Sequence, residues 1–97
     1  MRLAETEQDW AQRAAMHLKI ELKRANITYE ELADRLKKDG FSETKASIAN
    51  KLASATMSAH FFLASMVAIG REAVALEDIR RVGIPHAVRS LEKKGNQ

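Results

Sequence analysis

An all-α fold, a small bundle of five or six helices, is what this 97-residue chain predicts. Three observations carry that expectation. Only four glycines, one proline and 5% aromatic residues leave too few turn formers and strand formers for a sheet. Apolar residues recur at helical spacing in segments bounded by capping signals. With no cysteine, neither disulfides nor a thiolate metal site can staple the chain, so a hydrophobic core must hold it. Hydrophobic residues at 45% and charged residues at 30% suit such a core in one globular domain spanning residues 1–97.

The first helix is expected to start at Thr6-Glu7-Gln8-Asp9, a capping box with Asp9 in the usual glutamate position. From Trp10 the stripe Ala11, Ala14, Ala15, Leu18, Leu22, Ala25 follows. Arg13, Lys19, Lys23 and Arg24 line the polar side, and Asn26 suits a left-handed cap. Trp10 is read as a lid over neighbouring helices.

Thr28-Tyr29-Glu30-Glu31 is a complete capping box, and Ile27 and Leu32 stand at staple spacing around it. Leu32, Ala33 and Leu36 face inward, Lys37 and Lys38 complement the helix end, Gly40 stops it, and Phe41 plugs the core. A third helix over about residues 43–54 is capped at Ser42, with Thr44 competing for that place. Ile48 and Leu52 give it a narrow apolar edge, leaving Thr44, Lys45, Ser47, Asn50 and Lys51 outward.

Ser58 caps a fourth helix with a Met57–Phe62 staple. Phe62, Met66 and Ile69 are its inner stripe, Leu63 and Val67 lie off that stripe, and Gly70 closes it. Residues 73–82 read as a short helix with Leu76 and Ile79 inward. Pro85 suits the first turn of a last helix carrying Ile84, Val88 and Leu91. The core is expected over residues 10–70, with a helical extension over 71–97.

Leu32-Ala33, the turn at Gly40–Ser42, then Ile48 and Leu52 resemble the lambda-repressor-like helix-turn-helix proteins. In those, a Leu-Ala pair in the second helix meets an apolar residue of the third across the turn. The span from Trp10 through ELKR (Glu21–Arg24), YEELADRL (Tyr29–Leu36), NKL (Asn50–Leu52) and AIG (Ala68–Gly70) is also similar to a small bacterial domain family of unknown function. Two departures stand out. The turn Lys38–Glu43 is a residue or two longer than usual, and Ala53-Ser54-Ala55-Thr56 stands where family members carry a basic residue followed by glycine.

The resemblance implies a double-stranded DNA partner, with the third helix in the major groove. Lys45 would then donate to guanine, Asn50 would pair with adenine, Ser47 would serve either base, and Ala46 would meet a thymine methyl. Thr44 flanks these. Thr28 and Tyr29 would meet the phosphate backbone through hydroxyls and free amides, and Lys51 would contact a further phosphate. The charge is mildly basic, +3, with 16 basic against 13 acidic residues. Few phosphates can be neutralised per protomer, so a homodimer through Leu63, Val67, Val88 and Leu91 is expected, reading two half-sites. The alternatives are a protein–protein interaction module, or an antitoxin-like adaptor, on the same scaffold.

Other chemistries find little support. His17, His60 and His86 fall on separate elements without metal-ligand spacing. No glycine-rich phosphate loop or nucleophile elbow occurs, so neither a cofactor nor catalysis is expected. The run Phe61–Ala64, then Met66–Ile69 after Ser65, is too short to cross a bilayer. An acidic start, Met1 to Asp9, does not read as a leader, and the lack of cysteine fits a cytoplasmic protein.

Overall fold

Local chemistry sets where the helices begin and end. The structure, a computed structural model, describes residues 2–82 and the side chains of residues 6–81. Five helices are found there: α1 (Arg2–Ala25), α2 (Tyr29–Lys38), α3 (Lys45–Ser54), α4 (Ala59–Ile69) and α5 (Leu76–Val82). The all-helical class is as the sequence predicts. The last predicted helix, with Ile84, Pro85, Val88 and Leu91, lies outside the described residues.

Thr28, Thr44 and Ser58 each cap a helix by accepting from the amide three residues on, Glu31, Ser47 and Phe61 respectively. Three details differ from expectation. The Glu31 carboxylate takes the Arg35 guanidinium at 2.8 Å, so only the Thr28 half of the predicted box forms. Thr44, not Ser42, caps α3, because Ser47 returns a hydrogen bond from the Thr44 amide and completes a reciprocal box there. At the amino end, α1 begins at Arg2, so Thr6 lies within the helix and does not cap it.

The first four helices end the same way, on a left-handed residue: Asn26, Gly40, Ala55 and Gly70. After Asn26, Gly40, Ala55 and Gly70 the next amide reaches back to Leu22, Leu36, Lys51 and Met66, closing Schellman turns. Ala55, at φ +55°, is the odd member: its Cβ crowds the following carbonyl, and it lacks the short polar side chain that suits Asn26 to this conformation. Ala55→Gly is therefore expected to stabilise the fold by about 0.5–1 kcal/mol, the strain relieved less the entropy glycine adds to the unfolded chain. Thermal unfolding should show a Tm a few degrees higher. An unchanged or lower Tm would mean that Ala55 is unstrained.

α1 is the spine. It packs against α3, α4 and α5, while α2 packs against α3 and α4. The core is drawn from four helices and one connection: Ala15, Leu18 and Leu22; Ile27; Leu32, Ala33 and Leu36; Ile48 and Leu52; Phe61, Met66 and Ile69. Phe41 packs half-buried against it. Arg35 ties α2 to the end of α4, donating at 2.7 Å to the Ala68 carbonyl, one of those a helix end leaves open.

Four side chains sit differently from their predicted places. Phe61, not Phe62, is the buried ring of α4; Phe62 is half-buried against His17, with ring centroids 6.3 Å apart. Trp10 is no core lid: it is 45% exposed, with the Arg13 guanidinium stacked 4.6 Å from its ring centroid. Leu76 faces solvent, and among the described side chains of α5 Ile79 alone joins the buried apolar set. Arg13, placed on the polar side by the sequence, is buried, paired with Asp9 at 3.0 Å, and its Nε has no partner among the described residues.

Candidate nucleic-acid interface

What α3 can present depends on how it is anchored. Ile48 and Leu52 are buried in the core, which turns the opposite side outward. Thr44, Lys45, Ala46 and Asn50 are exposed there. Ala46 and Asn50, four apart, share one row, and Lys45 flanks it. α5 lies on α1, and no element among the described residues packs over this outer row.

Ser47 and Lys51 depart from the expected outward array. Both are half-buried, and both are bound to Glu43, just before the helix. The Ser47 hydroxyl donates to Glu43 Oε1 at 2.6 Å, and the Lys51 ammonium pairs with Glu43 Oε2 while lying 4.9 Å from the centre of the Phe61 ring. Burial of Glu43 pushes its carboxyl upward, but the hydrogen bonds from Lys51 and Ser47 and the charge of Lys51 together hold it below its ordinary value. The two residues thus stiffen the start of α3 and fix its angle. The helix's own free positive charge is reduced to Lys45.

Thr28 and Tyr29 stand apart from this cluster; no hydrogen bond or ion pair joins the two groups. Thr28 is exposed at the α2 cap, and Tyr29 is half-buried against the core. They share an open depression with Leu22 and Ile27, and with Lys19 and Lys23 of α1. The sequence placed those two lysines on a solvated polar side without a role. The available signal was their spacing of four, which sets both on one helix face.

A second polar cluster was not anticipated. Glu21, buried on α1, accepts from Arg71 Nε at 2.7 Å, with Arg24 at 3.7 Å and His17 at 3.8 Å. It fastens the connection after α4 onto α1 and is read as structural. Exposed apolar surface gathers on α4, where Leu63 and Val67 are 59% and 67% exposed on a helix with no charged residue.

Comparison with known families decides the relationship. Residues 10–74 match a family described as a domain of unknown function, DUF6471. The chain belongs to the DUF6471 family. The matched span runs from Trp10 to Val74, so it covers the core helices and stops before α5. No match is found among curated proteins or among solved structures. Within the DUF6471 span lie every predicted DNA-contacting residue, the Glu43 clamp and the Glu21 cluster. No single helix among the described residues is long and apolar enough to cross a membrane.

Proposed function

We propose that this DUF6471 domain is a DNA-binding transcriptional regulator of helix-turn-helix type, working in the cytoplasm and laying the outer row of α3 in the major groove. The observation that carries the reading is the open row Thr44, Lys45, Ala46 and Asn50 on a helix whose inner edge is held in the core and whose start is clamped by Glu43. A rigid helix with donors at its amino end suits base edges: a lysine for guanine, an asparagine for adenine, a small methyl beside thymine. Six residues separate α2 from α3, against about three or four in the usual motif, which sets this helix pair at its own angle.

One protomer brings little charge, so a homodimer is part of the proposal. Leu63 and Val67 of α4 face a second copy, and two half-sites are read together. The exposed α4 face and the neutralised Lys51 equally favour a second reading, a protein-binding module on the same scaffold.

Binding to duplex DNA separates the two. The parent protein should bind random duplex with a steep salt dependence and prefer sequences selected from a randomised pool. Lys45→Glu should weaken binding at least about tenfold, and Asn50→Ala should cost about 1–3 kcal/mol at one base position, with helical content unchanged. If both variants bind as the parent does, α3 is not the reading helix. If the parent shows no salt-dependent binding, the protein-binding module replaces the regulator.

A further inference from the structure

The ion pairs sort the basic side chains into two sets. Among the described side chains every arginine, from Arg13 to Arg81, lies within ion-pair distance of a carboxylate, and so does Lys51. Five lysines have no such partner: Lys19, Lys23, Lys37, Lys38 and Lys45. A cation already neutralised inside the protein releases few counterions from a polyanion, whereas an unpaired one releases close to its full share.

Lys45 belongs to the reading row, and Lys37 and Lys38 sit in the last turn of α2, where they complement its dipole. Lys19 and Lys23 remain. They stand one helical turn apart on α1 and line the open depression that also holds Thr28 and Tyr29. Leu22 and Ile27 give the same depression an apolar part, the kind of surface a lysine stem covers while its ammonium group stays in water.

We propose that Lys19 and Lys23 form a backbone grip, pairing with the phosphodiesters that flank the bases read by α3. The inference rests on the DNA reading above and extends it to a helix that reading left out. Its partner is the sugar–phosphate chain of the duplex, matched by charge and blind to sequence. The grip therefore supplies affinity and register, while Lys45 and Asn50 supply discrimination.

The test is the salt dependence of binding to a labelled random duplex, followed by anisotropy, for the full chain and three double variants. Lys19→Gln with Lys23→Gln should make the log–log salt slope shallower by about 1.8, two phosphates at roughly 0.9 each. It should weaken random and selected sequences by the same factor. Lys19→Arg with Lys23→Arg should keep the parent slope, which shows that charge and not packing is responsible. Lys37→Gln with Lys38→Gln should also keep it. A glutamine pair at positions 19 and 23 with the parent slope overturns the grip and leaves the α3 reading standing. An equal loss in the Lys37 and Lys38 variant overturns it too, since the contact would then be diffuse. No salt-dependent binding by the parent removes both.

Discussion

Phe61→Ala should cost about 3–5 kcal/mol, a large share of the roughly 5–15 kcal/mol that holds a domain of this size together. Phe61 is fully buried among side chains of several helices. Replacing it leaves a cavity that short, mutually anchored helices can collapse into only in part. A second loss follows, because the Lys51 ammonium lies over that ring and loses its cation–π partner. Urea unfolding measures the effect as a drop in midpoint at nearly constant slope. Phe62→Ala is the control. Its half-buried ring touches His17 at the edge of the core, so its removal should cost well under half as much. Equal costs for the two would mean that α4 is rotated from the orientation described.

Glu21→Ala should be the most damaging polar change, at about 2–3 kcal/mol. Removing one partner of a fully buried ion pair costs about 3–5 kcal/mol, because a charge is stranded. The figure is lower here because Arg71 is about two-fifths exposed and can turn to water. The loss should also be local. Among the described side chains of α5 the buried one is Ile79, and the chain leading to it is moored by the Arg71–Glu21 pair. Amide exchange over residues 71–82 should speed up more than exchange in α2 or α3. Glu21→Gln keeps an acceptor for Arg71 without the charge and should fall between parent and alanine. If the alanine variant unfolds with the parent and keeps α5 protected, the cluster does not moor the segment.

Much of the fold was legible because its signals are local. Capping by Thr28 and Ser58 and stops at Asn26, Gly40 and Gly70 depend on residues within one turn of each other. The burial of Leu18, Leu22, Leu32, Leu36, Ile48 and Leu52 follows from apolar spacing on helices already bounded that way. The α3 cap was harder, because Ser42 and Thr44 have similar side chains. The choice fell to Ser47, whose hydroxyl reaches back to the Thr44 amide.

The site was half legible. Lys45, Ala46 and Asn50 could be placed outward because Ile48 and Leu52 had to face in. The inward turn of Ser47 and Lys51 could not be seen, since both bind Glu43 and Lys51 also lies over the ring of Phe61 from another helix. The surroundings of Lys19 and Lys23 were hidden likewise, because the depression they line exists only once the connection Ile27–Thr28 and Tyr29 turn against α1.

The sequence alone determined the helical class, the approximate positions of the first four helices and the inner edges of α2 and α3, because capping and periodicity act over a few residues. Tertiary structure decided which polar groups are shielded. α1 is covered by α3, α4 and α5, so its buried arc is wider than an apolar stripe and takes in Arg13, His17 and Glu21. A charged residue on a helix reads as solvated until some other element closes over it, and that closure depends on how separate segments meet. Among the described side chains, pairing then divides the cations, leaving five lysines, and not the arginines, free to meet a partner.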